Sequence, residues 1–346
     1  MSLKNFYHLI MSLIGTSLFL VSCTESEVPL GDWQKASDFE GKTRSEAVGF
    51  LIGDKEYIAT GIDEDKDKLK DIWAYDASDE TWDQKADMPD EALARSAAVA
   101  FSAGGKGYVG TGLDDDGNEL KDFWCYDPDA NTWSAVAAEF PGNARFSAVA
   151  FSINDHGYVG TGHNDDDGDY KDFYRYTPED GSWTKVPYPG SKRRDACTFV
   201  INNTAYFLTG TNSSQTDDTF YSYNETNDGT TGWTELRHIS DYEDDEDFDD
   251  DYTTIERASA VAFTINGKGY LATGSSTSSL SNVWEYDPKT DLWEEKTKFE
   301  GSSRSQAVGF AYGNYGYILT GAQSSSSYLY DMARFDPNAE YDDKYE

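Results

Sequence analysis

The chain has 346 residues, 38% hydrophobic and 15% aromatic, which is enough apolar material for a large core and too much for a chain that stays disordered. Its formal net charge is -36, with 64 Asp and Glu against 28 Lys and Arg. That balance excludes a nucleic-acid binder working by phosphate neutralisation, and equally a basic patch docking on an anionic membrane. It suits a partner that is neutral, cationic or metal-bearing.

At the N-terminus, Lys4 precedes an apolar run from Leu9 to Val21 that is too short to span a bilayer. The run ends at Leu20-Val21-Ser22-Cys23, which resembles the lipobox of bacterial lipoproteins: an aliphatic residue three places before the Cys, a small one just before it, then the Cys that is lipidated. The resemblance implies a signal peptide over 1–22, lipidation at Cys23, a polar tether over 23–30 and a folded body over 31–346. Thr24 follows the Cys, so the Asp signal for inner-membrane retention is absent and the outer membrane is the expected location. The expected membrane contact is the lipid anchor alone. Cys125 and Cys197 fall at different places in different repeats, which predicts two unpaired thiols, with Cys197 buried and Cys125 on a strand face.

The repeat itself comes into register on arginine. "RSEAVGF" starts at Arg44, "RSAAVAF" at Arg95, "RFSAVAF" at Arg145, "RRDACTF" at Arg193, "RASAVAF" at Arg257 and "RSQAVGF" at Arg304. These six use most of the ten arginines in the chain. A Thr-Gly pair follows each of them, with its Gly 17 residues on, from Thr60-Gly61 to Thr320-Gly321. Aromatic segments such as "DIWAYD" and "DFWCYD" come next, then a Trp (Trp82, Trp133, Trp183, Trp233, Trp293). Successive starts are 51, 50, 48, 64 and 47 residues apart. Each unit reads as four short strands separated by turn signals such as Gly104-Gly105 and Asn202-Asn203. Four strands per repeat of about 50 residues is the pattern of a β-propeller blade.

The pattern resembles the Kelch family, whose blades carry a diglycine after the second strand and then a Tyr and a Trp at fixed spacing. Tyr75–Trp82, Tyr126–Trp133, Tyr176–Trp183 and Tyr286–Trp293 keep one spacing. The departure is Thr-Gly in place of Gly-Gly. The sixth unit ends without a Trp, while Trp33 lies eleven residues before Arg44, as Trp293 lies eleven before Arg304. Residues 31–41 are therefore expected to complete the last blade. The expected fold is all-β: a six-bladed propeller, closed by an N-terminal strand and monomeric. All nine Trp are then assigned to strand positions, which weakens any lectin reading built on spare aromatics.

The six arginines would stand at one mouth of the central channel. One reading makes them an anion-binding ring for an acidic sugar or peptide. The other makes them latches onto carbonyls or carboxylates of neighbouring turns. Arginines satisfied by the protein's own groups argue for the second. Asp114, Asp116, Asp165 and Asp167, in "DDDGN" and "DDDGD", are weak calcium candidates; the Gly is misplaced for a helix–loop–helix calcium loop and Asp-Gly is also a hairpin signal. No cofactor other than calcium is expected. The acidic block "DYEDDEDFDDDY" at 241–252 reads as a solvated loop, with a flap over the arginine mouth as the alternative. The preferred function is an envelope-anchored binding or scaffold module for a protein or glycan ligand. The alternative resembles six-bladed Kelch sugar epimerases of the sialic acid mutarotase kind, with Glu46 or Glu256 as acid/base. A copper oxidase is weaker still, because His156, His163 and His238 are the only histidines after residue 22.

Overall fold

A computed structural model describes residues 29–225, 231–242 and 247–345. These residues form six four-stranded antiparallel sheets and no α-helix. In blade one the strands are Val48–Ile52, Lys55–Ala59, Ile72–Asp76 and Thr81–Gln84, ordered from the axis outward as in the sequence. Blades two to five start at Val99, Val149, Cys197 and Val261 and repeat this order. Blade six takes Val308–Tyr312, Tyr315–Leu319 and Met332–Asp336 from the C-terminal end and Asp32–Lys35 from the other, with Trp33 opposite Phe335. The closing strand removes an open sheet edge and ties the two ends of the chain together.

Local chemistry explains the hairpins. Asn154-Asp155, Asn202-Asn203, Gly104-Gly105 and Asn266-Gly267 all hold positive φ at both places, the two-residue turn whose twist matches antiparallel strands. The innermost strand alternates a buried residue with one facing the axis. The buried Phe of each inner strand stacks on the Tyr of the next strand, as Phe151 does on Tyr158 at 4.8 Å between ring centres. That Phe also projects into the following blade. A Cβ on Gly107 would lie 2.0 Å from Phe50 Cε2, so this column of the second strand must be small. It is filled by Gly107, Gly157, Ala205, Gly269 and Gly316, and by Glu56 in blade one.

Two closed circuits of hydrogen bonds, and a partial third, join the blades around the axis. The N–H of each Thr-Gly glycine donates to the carbonyl of the next blade's arginine, from Gly61 to Arg95 (2.9 Å) round to Gly321 to Arg44 (2.8 Å). Nearer the axis, Glu46, Ala97, Ser147, Asp195, Ser259 and Gln306 form a ring in which each N–H donates to the preceding member's carbonyl at 2.9–3.1 Å. All six have left-handed backbone, φ 49–56°. At the far end, hydroxyls bridge blades: Ser102 to the Leu51 carbonyl, Thr198 to Ala150 and Thr264 to Val200.

Two expectations need correction. The last residues of the 23–30 segment are docked: Thr297 donates from Oγ1 to the Pro29 carbonyl (2.8 Å) and from its N–H to the Leu30 carbonyl (3.2 Å). The acidic block is also anchored where it is described. Tyr252 is buried against Trp284, and its hydroxyl accepts the Trp293 N–H at 2.7 Å. Phe248 lies under the Arg237 guanidinium. Those contacts are with the outer strands of blade five, not with the channel mouth. Residues 243–246, residues 1–22 where a signal peptide is expected, and Cys23 lie outside the described residues. Cys125 is half-buried and Cys197 buried, both free thiols.

Candidate functional site

The six arginines are fully buried, each with no exposed surface. Arg145 shows the arrangement. Its Nη1 and Nη2 grip both oxygens of Asp172 at 2.7 and 3.0 Å, Nη1 also donates to the Thr161 carbonyl at 2.8 Å, and Nε donates to the Asn143 carbonyl at 3.0 Å. Arg44 with Asp71 and Arg95 with Asp122 repeat this. Arg304 pairs with Asp331 at 2.6 Å and Arg193 with Asp217 at 2.8 Å. Arg257 has only carbonyls: Thr273, Asn282, Ile255 and Thr254. Without a carboxylate beside it, burial lowers its guanidinium to about 10.

The anion-mouth reading of Arg44, Arg95, Arg145, Arg193, Arg257 and Arg304 is therefore corrected: the guanidinium groups are fully buried and bonded inside the blade, with Arg193 Nε buried but unpartnered. They clamp three points together: the start of the inner strand, the Thr-Gly turn and the start of the third strand. The clamp also accounts for Thr at that turn. Thr60, Thr111, Thr161, Thr209, Thr273 and Thr320 sit at φ 58–61°, a costly place for a β-branched residue. In all six the carbonyl is held by the arginine.

The calcium candidates do not converge. Asp114 turns its carboxylate back onto the Asp116 and Asn118 N–H groups, at 3.0 and 2.8 Å, and Asp167 accepts from Asn143 and Tyr170. Among the described residues the carboxylates that come within 4.8 Å of one another as a group of three belong to Asp241, Asp249 and Asp250 instead. The histidines do not converge either. His163 faces Asp169 at 2.6 Å, His156 faces Glu225 and His238 faces Asp218. A copper centre needing two of them together has no place here. Glu256 is engaged by the Thr216 hydroxyl at 2.7 Å.

The groups that do converge are the six ring residues, which line the channel mouth on the arginine side. The left-handed turn places five polar side chains, Glu46, Ser147, Asp195, Ser259 and Gln306, around one opening. Glu46 accepts from Ser96 Oγ (2.6 Å) and Gln306 Nε2 (3.2 Å). Asp195 is hydrogen-bonded by Ser147 and Ser259. Burial, with Glu46 adding repulsion, raises its carboxyl above the usual range despite those bonds and Arg194 at 3.7 Å. One residue further out, Phe146 stands beside Ser147 with its ring 5.3 Å from His163, and Arg194 stands beside Asp195. The mouth is thus asymmetric, with Asp195 between two serines on the side of blades three to five and a carboxylate–amide pair on the side of blades six and one.

Sequence reasoning named Glu46 alone of this group. The signal was present in the third letter of the heptapeptide, which runs Glu, Ala, Ser, Asp, Ser, Gln beside a fourth letter that is Ala in all six; the second letter varies too, as Ser, Ser, Phe, Arg, Ala, Ser.

Comparison with known proteins agrees with this architecture. A model of the Kelch motif matches residues 97–138, which span all four strands of blade two. The solved structure titled "Structure of YjhT" superposes with a TM-score of 0.70 at 16% identity, over 86% of this chain and 95% of that one. The chain is a six-bladed β-propeller of Kelch type. The chain carries threonine at the first place of the Kelch diglycine, and the buried arginine bonds the main-chain carbonyl there. No curated protein matches the sequence.

Proposed function

We propose that this propeller is an exported, lipid-anchored binding module that takes a hydroxyl-rich, neutral or cationic glycan at the channel mouth on the arginine side. The observation that carries this reading is the ring itself. Six equivalent backbone positions share one strained geometry, yet carry five different residue types, four of them polar. Strain kept six times and side chains varied six times fit recognition better than packing. Carboxylates and an amide are good acceptors for sugar hydroxyls. An anionic ligand is disfavoured, since Glu46 and Asp195 line the opening and the buried arginines offer it nothing. Anchoring rests on Cys23. From there to Pro29, where docking on blade five starts, the chain spans at most about 20 Å, which would hold the propeller close to the membrane.

The test is an array of neutral, amino and carboxylated glycans probed with the protein. Binding confined to neutral or amino glycans is expected, and a preference for carboxylated ones would refute the reading. Cys23→Ser should release the protein from the membrane fraction. A second reading, a mutarotase-like enzyme, is favoured by one observation: Asp195 holds its proton more tightly than an ordinary carboxyl, close enough to the Glu46 charge to feel it, so the mouth has an acid and a base. NMR of anomer exchange in sialic acid and in neutral aldoses separates the two. Catalysed exchange lost in Asp195→Asn would establish the enzyme.

A further inference from the structure

Glu56 stands where the other blades place Gly107, Gly157, Ala205, Gly269 and Gly316. A glutamate in this column cannot lie flat under the Phe of the preceding blade, and it turns toward the axis. Its Oε1 comes within 2.7 Å of where a Cβ on Gly49 would be, so the missing side chain of Gly49 is the space it occupies. Gly49 and Gly309, on adjacent blades, are the two glycines of the axis-facing layer that elsewhere holds Ala100, Ala150, Thr198 and Ala262. At Gly49 the wall is opened beside the carboxyl.

The space it faces is the lower half of the channel, about 450 Å³, on the side away from the ring. Among the residues lining it, Glu56 is the only ionisable one; the rest are glycine, alanine, valine, leucine, phenylalanine, serine and threonine. The residue is 4% exposed, and its carboxyl has no hydrogen bond or ion pair among the described residues. Oxygens of Ser102, Ser152, Thr198 and Thr264 line the same space, their protons already committed to neighbouring carbonyls in Ser102, Thr198 and Thr264. A buried carboxylate without a counter-charge is costly, whereas one beside a cation and several neutral oxygens is not.

We propose that the lower channel is a binding site for a single monovalent cation, an alkali ion or a primary ammonium group, with Glu56 as its charged ligand. One carboxylate among neutral oxygens balances one positive charge, whereas calcium sites gather several carboxylates. Burial alone pushes the Glu56 carboxyl well above the usual range, so cation and proton compete for it. The site is separate from the glycan mouth, and each can fail without the other.

The experiment follows the Glu56 carboxyl ¹³C resonance in the full chain, assigned by difference with Glu56→Gln. It is titrated with pH in sodium, rubidium, methylammonium and N-methylglucamine chlorides at one ionic strength. The bulky glucamine ion is the reference that does not fit. A cation at about ten times its Kd lowers the midpoint by about one unit. A fall with sodium or rubidium assigns an alkali ion, and a fall with methylammonium alone assigns an ammonium group. The same midpoint in all four salts overturns the proposal. If Glu56→Gln does not fold, wild-type crystals soaked in rubidium chloride and in methylammonium chloride give the same answer: density beside Glu56 in either supports the site, and density in neither overturns it.

Discussion

Removing the carboxylate that faces Arg145 should destabilise the propeller without touching the channel. In Asp172→Ala the guanidinium stays fully buried and loses both of its charge-assisted bonds, while the Thr161 and Asn143 carbonyls remain. Breaking a buried pair by deleting one partner costs roughly 3–5 kcal/mol. The Asp172 side chain is 21% exposed and two carbonyls persist, so the low end, about 3 kcal/mol, applies. With an unfolding entropy of about 2.1 cal/mol/K per residue, a chain of this length should lose roughly 5 °C in Tm. Asp172→Asn should lose less, since an amide oxygen can still accept one bond from the guanidinium. The pH dependence has a definite sign. Burial raises the Asp172 carboxyl, but its bonds to Arg145 outweigh this and hold it below the usual range. A group lowered on folding contributes stability that is complete above the unfolded carboxylate range and lost as pH falls through the folded value. The gap between wild type and Asp172→Ala should therefore close in acid. Differential scanning calorimetry across pH measures both. A Tm within about 1 °C of wild type at neutral pH would refute the claim that these arginines are latches.

Other parts of the account can be checked in the same way. Trp33→Ala removes a fully buried ring stacked on Phe335 and edged by Phe299, and should cost about 3–5 kcal/mol and speed amide exchange in Met332–Asp336, the strand it closes. Gly107→Ala places a methyl 2.0 Å from Phe50 Cε2 and should cost about 1–3 kcal/mol; an unchanged Tm would mean the blades are less closely packed than described. Glu56 is raised on folding, so its carboxyl subtracts stability as pH rises from the unfolded carboxylate range toward the folded value. In N-methylglucamine chloride, Glu56→Gln should then gain Tm over wild type as pH rises to neutrality, and a pH-independent difference would contradict this.

The fold was legible because the repeat states it six times, and because Trp33 supplies the one strand that the sixth unit lacks. The role of the arginines was legible too, but in a letter passed over. The aromatic segments "DIWAYD", "DFWCYD", "DFYRYT" and "DMARFD" all open on the Asp that lies 27 residues after the arginine. Alternation of apolar residues draws attention to the strand and away from the acid that begins it. The acidic block misled for the opposite reason: twelve residues dominated by like charge read as solvated, while Tyr252 within it packs on Trp284 of blade five and Phe248 packs on Tyr252 and under Arg237. The mouth was half legible. Variation at the third letter marked it, but a left-handed turn at Glu46 or Gln306 leaves no trace in residue type, since neither is a residue that favours it. Glu56 was visible as the exception in a column of Gly and Ala, and only the packing of Phe into that column shows why an acid there must turn to the axis.

The central claim is a division of labour: buried arginines hold the blades, and the ring at the mouth holds the ligand. Calorimetric titration of the best glycan from the array into Asp195→Asn and Asp172→Ala tests it directly, with Tm recorded for each. The account predicts that Asp195→Asn loses at least tenfold in affinity, the loss of about one hydrogen bond to a charged group, at unchanged Tm. It predicts that Asp172→Ala loses Tm at unchanged affinity. Affinity lost with the latch and kept with the ring would contradict it.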